Sequence, residues 1–132
     1  MAKKRILITD DENEMREEIA MILKGEGYSV VQAADGAAAM KILKKNRIDL
    51  MLLDLKMPVM NGFEVLKRMA GLKISVRTIV LTGSILGSSL PDEREISHDE
   101  KNRILKLADH VMNKPFDIAK LLEKIGFYIS AR

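Results

Sequence analysis

The sequence predicts an α/β protein: a doubly wound five-stranded parallel sheet with helices on both faces. Two observations predict it. Short apolar runs alternate five times with segments whose apolar residues recur at helical spacing. One run, from Ile48 to Asp54, is apolar at almost every position, as a strand buried on both faces of a parallel sheet should be. Because parallel neighbours need right-handed helical crossovers, this alternation places helices on both faces.

In each of the first two strand–helix units a short apolar run is followed by apolar residues at helical spacing. The predicted strands are Lys4–Thr9 and Tyr28–Ala33. The first helix carries Met15, Ile19 and Leu23 at helical spacing and ends at Gly25 to Gly27. The second helix is predicted over Ala37–Lys45, after Asp35-Gly36 and before Asn46.

The third and fourth units contain the predicted centre of the sheet. Strand three is Ile48–Asp54, and a helix over Gly62–Ala70 follows it with Phe63, Leu66 and Met69 at helical spacing. Strand four is Arg77–Thr82. From Gly83 to Ile96 periodicity is lost, and we expect a long loop there whose packing against the following helix changes as the protein functions.

The last unit begins with a helix start signal. Ser97 and Glu100 form a plausible capping box for a helix that runs toward Leu107. A brief fifth strand is predicted over Asp109–Asn113. The closing helix is marked by apolar residues at helical spacing, namely Ile118, Leu121, Leu122, Ile125 and Ile129.

Length and composition limit the classes of protein. The chain has 132 residues, which predicts one domain over 1–132 with a core of about 4–129 and no output domain. It has no cysteine and two histidines, which excludes disulfides and thiolate sites and fits a reducing, cytoplasmic location. The first apolar run is too short for a signal peptide or a membrane span. Net charge is +3, but acidic and basic residues are mixed along most of the chain, and the one basic stretch, from Lys41 to Arg47, contains no aromatic residue. We therefore expect no nucleic-acid partner and no membrane partner.

Polar residues stand at the ends of the predicted strands. In doubly wound sheets ligands bind beyond the carboxyl ends of the strands, so these residues should lie together. They are Asp10, Asp11, Asp54, Thr82 and Lys114. Three carboxylates in one pocket repel unless a cation holds them ionised, and an all-oxygen set favours Mg²⁺. A carboxylate such as Asp54 can attack phosphorus, so the set predicts phosphoryl transfer.

Each of these residues also has a simpler interpretation. Asp10 and Asp11, with Glu12, could only cap a helix, and Asp54 could only cap the loop that follows it. Threonine is common in strands, and a lysine before a proline is often an exposed turn residue. The joint pattern favours a site, because four separate coincidences would have to fall at matching strand ends.

The same residues resemble those of a known family, the response-regulator receiver domains of two-component signalling (the chemotaxis-regulator, or CheY-like, type). The resemblance covers nearly the whole chain. It is carried by the runs Ile8-Thr9-Asp10-Asp11-Glu12, Leu52-Leu53-Asp54-Leu55-Lys56-Met57-Pro58 with Asn61-Gly62, Leu81-Thr82-Gly83, and Lys114-Pro115-Phe116. It implies the flavodoxin-like strand order 2-1-3-4-5.

The resemblance also implies a role for each site residue. Asp54 is similar to the phosphoacceptor, Asp11 to a direct metal ligand and Asp10 to a ligand that acts through water. The carbonyl of Lys56 is similar to the backbone metal ligand. Thr82 resembles the switch hydroxyl and Lys114 the lysine that pairs with the phosphoryl group, with a cis bond to Pro115.

The resemblance implies a signalling switch, a phosphoprotein that catalyses its own phosphorylation and slow dephosphorylation. The implied phosphodonor is a histidine kinase or phosphotransfer protein, and the implied output is binding to an unknown downstream protein. The chain departs from the family at Val111, where an aromatic residue is usual, and at Leu107, where a glycine commonly ends the fourth helix. Alternatives are a receiver-fold adaptor that does not switch, an aspartate-nucleophile phosphatase and a flavin-binding protein. The last two lack their motifs in this chain.

Overall fold

The structure, a computed structural model, describes residues 3–83 and 97–130. In this part of the chain five strands alternate with five helices. The strands are β1 (Arg5–Thr9), β2 (Ser29–Ala33), β3 (Leu50–Asp54), β4 (Arg77–Thr82) and β5 (His110–Asn113). The helices are α1 (Asn13–Gly25), α2 (Gly36–Lys45), α3 (Gly62–Gly71), α4 (His98–Leu105) and α5 (Ile118–Ser130).

Every predicted strand and helix is present, with small shifts at the ends. β3 begins at Leu50, two residues later than predicted, because Asp49 turns its side chain back to accept a hydrogen bond from the backbone N–H of Arg5 at 2.7 Å. The predicted loop from Gly83 to Ile96 lies outside the described residues except for Gly83, and its packing stays a prediction.

The sheet is parallel throughout, with the strand order β2-β1-β3-β4-β5. This confirms the predicted fold class and order. In the register Thr9 stands opposite Leu53, and Thr82 stands opposite Asn113. The carboxyl ends of β1, β3, β4 and β5 therefore meet at one edge, where the polar residues of the sequence follow them.

Two apolar clusters cover the two faces of the sheet. Every residue of β3 is buried, as expected of the central strand. On one face, alternate residues of the strands pack with α2, α3 and α4; on the other they pack with α1 and α5. Burial of these apolar faces is the main contribution to the stability of the sheet, and it thereby holds the strand ends in place.

The predicted residues cap the starts of α2 and α4. The Asp35 carboxylate accepts from the N–H of Ala38 at the start of α2. Ser97 accepts from the N–H of Glu100 at 3.1 Å at the start of α4. This is the serine half of the predicted capping box; the Glu100 carboxylate lies 3.4 Å from the exposed Lys67 ammonium on α3.

Candidate functional site

Three carboxylates meet at the carboxyl edge of the sheet. Asp10 and Asp11 follow β1, and Asp54 is the last residue of β3. One ligand oxygen of each lies within 4.8 Å of the others. Asp10 and Asp54 are 2% and 5% exposed, whereas Asp11 is exposed. Two of the three charges are thus removed from water, which an isolated carboxylate pair would resist.

The Lys114 ammonium lies among these carboxylates. Its Nζ atom lies 2.9 Å from Oδ2 of Asp10, 3.8 Å from Oδ1 of Asp54 and 3.7 Å from Oε1 of Glu12. The Lys114 backbone N–H donates to the carbonyl of Thr82 at 2.7 Å, and the bond to Pro115 is cis, as the resemblance implies. The simpler interpretation of Lys114 as an exposed turn lysine is therefore wrong.

The electrostatics of Asp54 follow from this crowding. Burial is the main cause that raises its pKa to about 7, and the charge of Asp10 adds to the rise. The charge of Lys114 and the N–H of Lys56 work in the opposite direction. For Lys114, burial lowers the pKa, but the hydrogen bond to Asp10 and the nearby carboxylates outweigh it and raise that pKa.

Capping does not account for the acidic residues that follow β1. α1 begins after Glu12, whose side chain makes no cap hydrogen bond to the helix. The Asp10 carboxylate instead receives the N–H of Glu12 and the ammonium of Lys114. Asp54 does receive the N–H of Lys56, at 3.4 Å, which is long for such a bond.

The loop after Asp54 is held by Gly62. Its N–H donates to the carbonyl of Leu55 at 3.0 Å. A Cβ atom on Gly62 would lie 2.5 Å from the carbonyl oxygen of Asp54 and 2.8 Å from Cα of Leu55. Only glycine therefore allows α3 to start this close to the predicted phosphoacceptor, which explains why the motif needs it.

Thr82 and Lys56 occupy the rim of the same site. Thr82 is the last residue of β4 and is buried, one position beyond Leu81, which stands opposite Asp54. Lys56 is exposed and follows Asp54 by two residues. All the predicted site residues therefore lie on this edge of the sheet.

Val111 and His110 point to opposite faces of β5. Val111 stands opposite Val80 and packs, half-buried, against the apolar cluster beneath α2, α3 and α4. The His110 ring lies 5.7 Å from the ring of Tyr128 on α5. Burial, with the charge of Lys124, lowers the pKa of His110. Val111 thus lies on the inner face with α4.

Two residues contact the site although the sequence predicted no role in it for either of them. Glu12 contributes a third carboxylate near Lys114, and Arg16 donates from Nη1 to the backbone carbonyl of Asp10 at 2.7 Å. The spacing of Glu12 and Arg16 suggests only a surface pair along a helix. No sequence signal shows that Arg16 turns back to a backbone carbonyl.

A separate cleft of about 780 Å³ lies at the opposite edge of the sheet, lined among others by Arg47, Lys73, Arg77 and Asp109. Two of its cations are already paired, because Arg47 lies 3.7 Å from Asp49 and Arg77 lies 3.0 Å from Asp109. This cleft is far from the three carboxylates, and we do not assign the chemistry to it.

The donor set at the carboxylate edge fits a hard divalent cation. All the candidate side-chain ligands are carboxylate oxygens that lie within 4.8 Å of one another, and a hard cation among them would offset the burial and the charge of Asp10 that raise the pKa of Asp54. Within residues 3–83 and 97–130, no helix is both long enough and apolar enough to cross a membrane. The predicted cytoplasmic location stays a prediction.

Comparison with known proteins gives a consistent result. The model of the response regulator receiver domain matches residues 6–126. Sporulation initiation phosphotransferase F of Bacillus subtilis is 34% identical over 98% of this chain and 96% of its own length. Response regulator RR06 of Streptococcus pneumoniae is 39% identical over 91% of this chain, which spans only 50% of that relative.

Solved structures agree with this result. A CheY-like receiver domain protein from Methanospirillum hungatei has a TM-score of 0.81 and 31% identity, covering 97% of this chain and 94% of the other. Response regulator TrrA from Thermotoga maritima, solved in complex with Mg²⁺ and BeF, has a TM-score of 0.77 and 31% identity, covering 95% of this chain and 98% of the other. The fold, the site and these relatives together place the chain in the response regulator receiver domain family.

Proposed function

We propose that Asp54 accepts a phosphoryl group from a phosphohistidine of a histidine kinase or phosphotransfer protein. One observation carries this proposal: a buried carboxylate at the end of β3 has the Lys114 ammonium 3.8 Å away and two further carboxylates beside it. Attack on phosphorus needs an ionised carboxylate, a cation near the transferring oxygens and limited access of water. Asp54 has the nearby cation and the limited access of water, and a bound Mg²⁺ would keep its carboxylate ionised.

The reaction is a simple displacement. An oxygen of ionised Asp54 attacks phosphorus, a P–O bond forms, and the P–N bond to the donor imidazole breaks. The donor imidazole carries a proton on its other ring nitrogen, so it takes the electron pair of the P–N bond and leaves as neutral imidazole. Lys114 stabilises the negative charge that gathers on the phosphoryl oxygens, and Thr82 offers a hydroxyl to one of them.

The residues proposed to hold Mg²⁺ are the carboxylates of Asp10, Asp11 and Asp54 together with the carbonyl of Lys56. Asp10 already accepts hydrogen bonds on both carboxylate oxygens, which favours a contact through water, whereas the exposed carboxylate of Asp11 can bind directly. A bound Mg²⁺ would keep Asp54 ionised and balance the charge of the phosphoryl oxygens.

The output is proposed to be a change in binding to a downstream protein. A phosphoryl group on Asp54 adds charge beside the buried end of β4, and Thr82 is the residue there that can follow it. Val111 takes the place of the family's aromatic residue, so the movement must be transmitted by other packing. The non-switching adaptor is not favoured, because the site residues are all present and lie together.

The chain is proposed to catalyse its own phosphorylation and to lose the group slowly. Lys56 flanks the acceptor and is a poor base for orienting water against an acyl phosphate. The decay of phosphorylated protein after removal of the donor measures this rate. A Lys56→Asn variant that decays no faster than the wild type would contradict the idea.

A small donor with a P–N bond tests the proposed reaction. Phosphoramidate mimics the leaving group of phosphohistidine, and intact-mass spectrometry counts the phosphoryl groups transferred. We expect one group per chain, only with Mg²⁺ present. Transfer that is equal in EDTA would contradict the proposal.

A further inference from the structure

Asp10 is held at every polar group it has. Its N–H donates to the carbonyl of Ala33 at 3.1 Å, and its Oδ1 accepts from the N–H of Glu12 at 3.0 Å. Its Oδ2 accepts from Lys114 at 2.9 Å, and its carbonyl accepts from Arg16 at 2.7 Å. The partners are therefore one residue of β2, one residue of the same loop, the lysine of the site and, from α1, Arg16.

Arg16 joins this loop to the edge strand. Besides its bond to Asp10, its Nε donates to the side-chain oxygen of Gln32 at 3.0 Å. Gln32 precedes Ala33, the residue whose carbonyl receives the N–H of Asp10. The planar guanidinium of half-buried Arg16 therefore links β2 to the loop beside the backbone hydrogen bond that already joins Asp10 to Ala33.

The loop needs such a support. Residues 10–12 carry two of the proposed metal ligands, and the helix that follows has no side-chain cap to fix its first turn. The exposed Asp11 carboxylate has its position set by the backbone on either side of it. Arg16 donates to the carbonyl of Asp10, so it restrains the peptide bond between Asp10 and Asp11.

We propose that Arg16 is a positioning residue for the metal site: it holds the Asp10–Asp11 peptide so that both carboxylates face Asp54. The inference rests on the proposed function. Arg16 touches no reacting atom in it and acts only through the loop. Residues that orient metal ligands commonly change metal affinity by about 10- to 100-fold when they are removed, and a backbone contact belongs at the lower end of that range.

The test is Mg²⁺ affinity by isothermal titration calorimetry, because the chain has no tryptophan to report binding. We expect Arg16→Ala to weaken affinity about 10-fold. Arg16→Lys should lie between it and the wild type, because one ammonium can reach the carbonyl but cannot bridge to Gln32. Gln32→Ala should also weaken Mg²⁺ affinity, but by less than Arg16→Ala does. The double variant should bind Mg²⁺ as tightly as Arg16→Ala alone, because both changes act through the same contact.

A second readout separates positioning from general damage. The rate of phosphorylation by phosphoramidate should need more Mg²⁺ for half-saturation in Arg16→Ala, yet reach a maximum within about twofold of the wild type at saturating Mg²⁺. Arg68→Ala is the matched control, since Arg68 is an exposed arginine on α3, and it should change neither value. If Arg16→Ala folds poorly, Gln32→Ala is the variant in which both values are measured.

The outcomes are distinct. Wild-type protein that binds no Mg²⁺ would overturn the proposed function and the inference with it. Wild-type protein that binds Mg²⁺ while Arg16→Ala binds equally well would overturn the inference alone. A lower maximal rate in Arg16→Ala at unchanged affinity would also overturn it, because the defect would then lie in the acceptor and not in the metal loop.

Discussion

The ammonium of Lys114 lies 3.8 Å from Oδ1 of Asp54, with only 11% of the lysine side chain exposed. The two residues come from different strand ends and meet because β3 and β5 both flank β4. At this distance the lysine can reach an oxygen of a phosphoryl group on Asp54 with little movement.

Replacing Lys114 should therefore slow phosphorylation. In Lys114→Gln the charge that stabilises the transferring group is lost, and we expect a rate about 100-fold lower, the size seen when one such donor is removed. Initial rates with phosphoramidate and saturating Mg²⁺ measure this. Lys120→Gln, at an exposed position on α5, is the control. A Lys114→Gln rate within twofold of the wild type would remove Lys114 from the site.

The stability of the metal-free protein should depend on Asp54 and pH. The pKa of Asp54 is about 7 in the folded protein and 3.8 in the unfolded chain, so the folded state keeps a proton that the unfolded state releases. The contribution of Asp54 to the free energy of unfolding is therefore fully present below pH 4 and is lost as the pH rises toward 7. Asp54→Asn removes this loss.

We expect Asp54→Asn to raise the free energy of unfolding at pH 8 by about 2 kcal/mol, with little difference at pH 4. Urea unfolding in EDTA at the two pH values tests it. Adding Mg²⁺ should stabilise the wild type more than the variant. A variant less stable than the wild type at pH 8 would show that the Asp54 carboxylate is not destabilising there.

Two buried threonines should respond in opposite directions to the same change. Within residues 3–83 and 97–130, the hydroxyl of Thr9 finds no hydrogen-bond partner, whereas the hydroxyl of Thr78 donates to the carbonyl of Val76 at 2.9 Å. Both residues are 1% exposed. Thr9→Val should raise the free energy of unfolding by about 1 kcal/mol, and Thr78→Val should lower it by about the same amount.

Urea unfolding of both variants checks this pair. Each variant is the control for the other, because both exchange a hydroxyl for a methyl group. Equal changes of the same sign in the free energy of unfolding would contradict the assignment of their hydrogen bonds.

Glycine is required at the start of α3 but not at its end. In Gly62→Ala the new Cβ meets the backbone of Asp54 and Leu55, so we expect a loss of about 2 kcal/mol in the free energy of unfolding. In Gly71→Ala the Cβ meets nothing within 4 Å, and we expect no loss and a gain of up to about 1 kcal/mol. Gly62→Ala should also slow phosphorylation, because the carbonyl it displaces belongs to the acceptor. Equal stability of the two variants would be the contrary result.

Most of the fold and the identity of the site residues could be predicted from the sequence. The alternation of apolar periods locates all ten elements of residues 3–83 and 97–130, because burial of each face leaves a repeating pattern along the chain. The carboxyl ends of parallel strands converge by topology alone, which is why the sequence predicts that Asp10, Asp54 and Lys114 lie together.

The remainder depends on side-chain directions that no pattern records. Arg16 looks like a helix-surface residue in sequence, yet it turns back to the Asp10 carbonyl. Val59, exposed in the loop after Asp54, has a φ of 68°, a conformation that β-branched residues disfavour and that the residue type alone does not predict. Thr9 reads as an ordinary strand residue, and only packing shows that its hydroxyl is left without a partner among the described residues.

The most direct test of the account is intact-mass spectrometry after incubation with phosphoramidate, comparing wild-type protein, Asp54→Asn and Asp49→Asn. Asp49 is the control because its carboxylate is also partly buried but lies at the other end of β3, where it accepts from the N–H of Arg5. We predict one phosphoryl group on the wild type and on Asp49→Asn in the presence of Mg²⁺, and none on Asp54→Asn or in EDTA. Asp54→Asn protein phosphorylated at the wild-type yield would contradict the account.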